Sequence, residues 1–417
     1  MSKIKLICLG FASMLMLAAC SDEPNENGES NLPNGKVNSA LVEQSNHFAM
    51  KLFATANNQN PNEENLVLSP LSLNMALAML SNGANGQTKE GILSAMGMSN
   101  YNLNAVNDYF QTLRQTFQTA DPNTQLALAN SIWYRLGFPV KQSFIDVNTT
   151  YYDALVQELD FSNPSSADII NQWCSDKTNG LITEMVESPI NDALVMFLIN
   201  ALYFKSTWAD GYAFDNNGTH NMSFTKENGQ DIQVQMMSQS KQLKHYQDNT
   251  LEMLTIPYGN KSFSMTFVLP ARQTSVTNML NALQQNGYWN SCLSHMEKKL
   301  IDVRIPRFKV RYDSERKLNS VLASLGMSNA FNSQYADFSN LSNVPIFVDF
   351  VKQKTYIDVN ETGTEAAAVT VIGGATSVDV GPPTFFVNRP FLFVIQEEST
   401  GVVLFMGKIG NPEYEGK

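Results

Sequence analysis

The residues able to act as nucleophiles, near-neutral bases or soft metal ligands are few: Cys8, Cys20, Cys174 and Cys292, with His47, His220, His245 and His295. No two cysteines form a C-x-x-C pair, so neither a zinc ribbon nor a dithiol redox centre is written here. No motif surrounds any histidine, and each reads as a surface or core-edge side chain. The G-x-S-x-G elbow, H-E-x-x-H, the Walker loop and G-x-G-x-x-G are all absent. Gly83-Ala84-Asn85-Gly86 lacks the Gly-Lys-Ser/Thr ending of a phosphate loop and reads as a turn between helices. Glu397-Glu398 precede Ser399-Thr400-Gly401, so these carboxylates belong to a hairpin turn rather than to acid–base chemistry. The chain is expected to be no enzyme and to need no cofactor or metal. With 28 basic against 39 acidic residues and a net charge of -11, no nucleic-acid partner is expected either.

The chemistry that remains lies in backbone rather than in side chains. Residues 361–383 read ETGTEAAAVTVIGGATSVDVGPP and connect two strand candidates, 346–359 and 385–396. A connection of this length is unusual within a compact domain and is usually functional. Thr364, Ala366, Ala368, Thr370 and Ile372 form one alternating set, small or apolar throughout, while Glu365 falls on the other. No proline interrupts 361–381, so every amide can join a ladder. Gly363 supplies a pivot and Pro382-Pro383 a stop. The stretch is exposed by context and competent as a central strand by composition. A plain surface loop is equally compatible with Gly373-Gly374 and the small residues.

The elements that must position this stretch begin after an address. Residues 1–19 carry Lys3 and Lys5 and then an apolar run too short to span a bilayer, the pattern of an export signal. Leu17-Ala18-Ala19-Cys20 resembles a bacterial lipobox, which implies cleavage before Cys20 and lipidation of its thiol. Residues 20–38 are rich in Asn, Glu, Pro, Gly and Ser and read as a flexible tether. Residues 39–417 contain no second linker and read as one large domain. Helices are expected over 41–56, 72–81 (Ser69 as cap, Pro70 in the first turn), 105–117 and 167–177. Strands are expected over 126–134, 195–204, 251–256, 262–269, 301–304, 392–396 and 402–408, besides the pair already named. The fold class is α+β with a large mixed sheet. Cys174 and Cys292 are expected as free buried thiols, the alternative being one disulfide.

The body resembles a serpin, a serine protease inhibitor of the loop-insertion type. The motifs are Asn65-Leu66-Val67-Leu68-Ser69-Pro70-Leu71-Ser72, the run from Leu198 through Asn200-Ala201-Leu202-Tyr203-Phe204-Lys205 to Trp208, Gly363-Thr364-Glu365-Ala366-Ala367-Ala368, Asn388-Arg389-Pro390-Phe391 and Leu404-Phe405-Met406-Gly407-Lys408-Ile409. The resemblance implies three β-sheets, eight to nine helices and an exposed reactive-centre loop, 361–383. A target protease cleaves such a loop, is trapped as an acyl-enzyme, and the loop enters the main sheet as a new strand. Glu361, Gly363, Thr364, Glu365, Ala366, Ala367 and Ala368 match the hinge. Ser69, Ser72 and Asn200 match the shutter where the sheet parts, with Gln353 at the family's usual histidine. Trp208 matches the breach where insertion starts.

The resemblance leaves Thr376, Ser377, Val378 and Asp379 as candidates for the reactive bond. No Arg, Lys or aromatic residue lies nearby, so elastase-like proteases are expected as targets, with subtilisin-like or cysteine proteases as further candidates. The rival reading is a non-inhibitory serpin-fold surface-binding lipoprotein. The remaining expectations are a monomer, anchored to membrane through Cys20, at the outer membrane or cell surface and facing outward or into the periplasm. The segment 88–119 carries few basic residues, so polyanion activation is not expected.

Overall fold

The computed structural model describes residues 36–191, 193–364 and 381–414. Nine α-helices lie among them: α1 Ser39–Gln59, α2 Pro70–Ser81, α3 Gly86–Ala95, α4 Leu103–Ala120, α5 Gln142–Tyr152, α6 Ser165–Lys177, α7 Val276–Leu283, α8 Tyr288–Ser294 and α9 Lys317–Leu322. The strands run β1 Asn65–Leu68, β2 Gln125–Arg135, β3 Leu155–Leu159, β4 Met196–Thr207, β5 His220–Thr225, β6 Asp231–Gln247, β7 Leu251–Tyr258 and β8 Phe263–Pro270. They continue as β9 Glu297–Pro306, β10 Phe308–Asp313, β11 Lys354–Asn360, β12 Gly363–Thr364, β13 Thr384–Phe386, β14 Phe391–Glu397 and β15 Val403–Ile409. All four expected helices are present.

Two hydrogen-bonded sheets result. One has six strands in the order β10-β11-β12-β4-β2-β3. The other has nine, β1-β15-β14-β8-β7-β6-β9-β13 with β5 on β6. The long β6 joins two strand sets into this second sheet: its first half holds β5, its last residues hold β7, and β9 runs along most of it. The hydrophobic pattern does not mark β6, because DIQVQMMSQSKQLKHYQ is mostly polar and only pairing on both edges makes it a strand.

α2 packs against both sheets, touching β4 and β15, and all its residues except Ala76 are buried. Ser69 caps it, the Oγ accepting the Ser72 N–H at 3.2 Å, and Pro70 occupies the first turn, where an N–H would have no helical partner. β8, β14 and β15 are buried at every residue, so both faces of the second sheet's middle are covered.

Cys174 and Cys292 are free and buried; burial pushes their thiols up to about 12 and about 11 and leaves them unreactive. Glu397, 1% exposed, accepts from the Ser399 and Thr400 N–H groups and the Thr400 hydroxyl, which makes it a turn cap. Two expectations need correction. The strand placed over 385–396 is two, β13 on β9 and β14 between β8 and β15, parted at 387–390, where Pro390 has no N–H for a ladder. The strand placed over 346–359 begins only at Lys354; the reason lies in the site itself.

Candidate functional site

β11 turns back into β12 through Glu361-Thr362, with Asn360 opposite Gly363. The Asn360 Oδ1 accepts from the Thr362 N–H at 3.0 Å and its hydroxyl at 2.7 Å, fixing the turn. β12 then pairs antiparallel on both edges. Thr364 faces Val359 of β11 and Ser206 of β4, and Gly363 faces Thr207. The chain that leads into 365–380 therefore stands between the two central strands as the head of a new one. Gly363 has φ 143, and a Cβ there would lie 2.3 Å from Ser206 O and 2.6 Å from Thr207 Cα, so no other residue fits.

Aromatic side chains lock this head in place. Trp208 donates its indole N–H to Asn360 O at 3.0 Å and its backbone N–H to Thr362 O at 2.9 Å. Its ring stacks on Tyr258 with centroids 4.4 Å apart and planes 8° apart. The Tyr258 hydroxyl meets Thr364 Oγ1 at 2.6 Å. Burial pushes the Tyr258 phenol well above its ordinary range, so it stays protonated. Glu361, 3% exposed, makes an ion pair with Arg307 at 3.0 Å and accepts from the Thr219 hydroxyl at 2.5 Å.

Below Thr364 the strand has no continuation among the described residues. A cavity of about 350 Å³ opens there, with Phe197, Ile199 and Asn200 of β4 on one wall and Phe350, Val351 and Gln353 on the other. Residues 346–353 have a strand's hydrophobic pattern but no strand neighbour among the described residues: β10 ends at Asp313 on one side, and on the other the described part of β12 ends at Thr364. That is why the expected strand is short.

The shutter residues divide between the two walls. The Gln353 carboxamide pairs with the backbone of Ser69 in both directions, Oε1 accepting from the N–H at 2.7 Å and Nε2 donating to the C=O at 2.9 Å. The Ser69 hydroxyl donates to Leu404 O at 2.8 Å, tying the start of α2 to β15. Asn200 joins neither group. Its Nδ2 donates to Asn130 Oδ1 of β2 at 2.5 Å, and the Asn130 Nδ2 donates to Tyr152 O. The Asn200 Oδ1 is buried with no hydrogen-bond partner among the described residues. Ser72 lines the cavity and contributes its N–H to Ser69.

Ser72, Asn200 and Gln353 thus line the cavity, Asn200 and Gln353 on opposite sides, with Ser69 bonded to Gln353, while Glu361, Gly363, Thr364 and Trp208 gather around β12. Glu365, Ala366, Ala367, Ala368, Thr376, Ser377, Val378, Asp379 and Cys20 lie outside the described residues. The sequence reading misses Tyr258, Arg307 and Asn130. Only the equivalence of Asn130 and Asn200 as register partners on β2 and β4 carried a signal, two asparagines on adjacent strands.

Comparisons agree with this geometry. The family model described as Serpin (serine protease inhibitor) matches residues 43–412. An uncharacterized serpin-like protein of Methanosarcina acetivorans is 29% identical over 431 residues, covering 100% of both chains. Neuroserpin of Homo sapiens is 32% identical over 362 residues, covering 84% of this chain and 87% of its own. Among solved structures, native tengpin, a thermophilic serpin, superposes with a TM-score of 0.81 at 28% identity, covering 91% of this chain and 96% of that one. Thyroxine-binding globulin in complex with thyroxine gives 0.79 at 26% identity, covering 90% of this chain and 100% of that one.

Proposed function

The chain belongs to the serpin family, and from that premise we propose that it is an irreversible suicide-substrate inhibitor of elastase-like serine proteases. The observation that carries this reading is β12, two residues seated between β11 and β4 in line with a cavity whose lining begins six residues further along both neighbouring segments, at Asn200 and Gln353. Thr364 pairs with Ser206 and with Val359. Continuing both registers by six residues puts Thr370 across from Asn200 and from Gln353. The same alternation gives Ala366, Ala368, Thr370 and Ile372 the inward face that Thr364 already takes toward Tyr258. All are small or apolar, so no charge is buried by the new strand. Insertion adds a sheet strand and its ladder, and that gain drives the trapped protease away from its hydrolytic geometry.

The protease serine attacks the carbonyl of the reactive bond, among Thr376, Ser377, Val378 and Asp379. The amide C–N bond breaks, the C-terminal part leaves with a free amine, and an ester joins protease to loop. Ala375-Thr376-Ser377-Val378 suits a small apolar specificity pocket. Export by residues 1–19 and lipidation at Cys20 place the inhibitor on a membrane, tethered by residues 20–38.

Incubation with pancreatic and neutrophil elastase, followed by denaturing gels and mass mapping of the nick, tests this. A complex stable to denaturation is expected, with one cut inside 376–379. A loop cut without complex, and without a gain in heat resistance, would favour the non-inhibitory binding protein.

A further inference from the structure

The wall of the slot opposite β4 is held open by a side chain that imitates a strand. Asn319, half-buried on α9, accepts the Val351 N–H on Oδ1 at 2.8 Å and donates Nδ2–H to Asp349 O at 2.8 Å. A parallel neighbour in a sheet bonds an extended chain in this pattern, taking the C=O before a residue and the N–H after it. Ser314 serves the same edge two residues on, taking both backbone groups of one residue as an antiparallel neighbour does. Its Oγ accepts the Gln353 N–H at 2.8 Å and its N–H donates to Gln353 O at 2.9 Å. Asp349, Val351 and Gln353 therefore spend their backbone groups on one edge. In an extended chain the alternate residues, Phe350 and Lys352, turn theirs to the other edge. Both line the cavity. The Arg316 guanidinium reinforces the same place, bonding the Asp349 carboxylate at 2.8 Å and lying 5.0 Å from the Phe350 ring centroid.

We propose that Asn319 is a positioning residue for loop insertion, holding residues 349–351 as a ready-made ladder edge so that the Phe350 and Lys352 backbone groups await the incoming strand. This rests on the inhibitor reading. It adds that insertion speed is set partly by α9, an element outside the sheet. Without the clamp, residues 349–351 leave the extended form and must be reordered while the loop enters, in competition with hydrolysis of the acyl-enzyme.

The test uses the full-length folded domain and a metalloprotease that nicks the loop without forming an acyl-enzyme. The rate at which nicked protein acquires heat resistance is measured for the parent, Asn319→Leu and Asn319→Asp. Leu keeps the volume and loses both bonds; Asp keeps the acceptor for the Val351 N–H and loses the donor. Asn319→Leu is expected to acquire heat resistance about tenfold more slowly, about 1.4 kcal/mol on the barrier. Asn319→Asp is expected to fall between, with the rate of nicking unchanged in both. Exchange of the Val351 amide is expected to quicken in Asn319→Leu. A purely structural role would lower the melting of intact protein and leave the rate after nicking alone. Equal rates for parent and Asn319→Leu would overturn the assignment. A parent that gains no heat resistance on nicking would instead overturn the inhibitor reading beneath it.

Discussion

Around Trp208 the slot between β4 and β11 is filled: the chain's own Gly363-Thr364 completes the ladder, an indole and a phenol stack against it, and Thr364 has a hydroxyl partner. Around Asn200, no described residue continues the ladder: among the described residues a carboxamide oxygen is buried unpaired, and the facing wall is held by the side chains of Asn319 and Ser314. The difference is one of polar satisfaction. A buried group without a partner loses free energy that a partner would restore. Among the described residues the slot is thus best satisfied at β12 and least satisfied at Asn200, which gives an incoming strand a direction.

The largest test breaks the filled end. Gly363→Val puts side-chain atoms into Ser206 O and Thr207 Cα at a φ of 143. About 3 kcal/mol or more of destabilisation is expected at that end, from strain and overlap together. Calorimetry before and after nicking should show that the variant gains little heat resistance. A full gain would mean that insertion does not start from β12.

The next addresses the open end. Gln353→Leu removes the acceptor of the Ser69 N–H at the start of α2, while the Ser69 C=O keeps the Leu73 N–H at 3.2 Å. About 1–3 kcal/mol of lost stability is expected for one buried N–H left unpaired. Urea unfolding of intact protein measures it, and a loss under about 0.5 kcal/mol would mean that water replaces the carboxamide. Smaller still, Tyr258→Phe leaves the aromatic stack and removes the Thr364 contact together with a long, weak one to the Met265 sulfur at 3.8 Å. A loss of about 1 kcal/mol is expected in the same assay, sharpening how much of the upper end is stacking and how much is hydrogen bonding.

How far these ends could be read from the sequence differs for the same reason. Ser69-Pro70 announces α2 because capping is local, and Gly363 with its small neighbours announces a chain that can enter a sheet. Tyr258 stayed hidden because its role depends on an isolated bridge to Trp208, some fifty positions away, and on a hydroxyl contact to Thr364 more than a hundred away. Residues 346–353 misled in the opposite sense. Their pattern is that of a residue run beside a strand, and among the described residues no strand pairs with them. Composition tells which face a strand can bury; it does not tell whether the partner strand is present.

The smallest effect concerns protons. The family's usual histidine is Gln353 here, and its pairing with Ser69 carries no titratable group. At the other end the Tyr258 phenol is raised by burial. A raised phenol contributes stability that is complete below the unfolded value, about 10, and is lost only as pH climbs through the folded one. Both pairings therefore keep their charge state from about pH 5.5 to about pH 8.5, and the rate of heat-resistance gain after nicking is expected to be flat across that window. Gln353→His should break the symmetry. A neutral imidazole can accept the Ser69 N–H, a protonated one cannot, and the unperturbed ring titrates near about 6.5. The tie between the wall and the start of α2 then breaks as pH falls below about 6.5, while the Asn319 clamp still keeps residues 349–351 in place, and the variant is expected to insert faster in mild acid while the parent does not change. A sloping parent profile would place a proton-sensitive element elsewhere along the slot and remove Gln353 from the control of its opening.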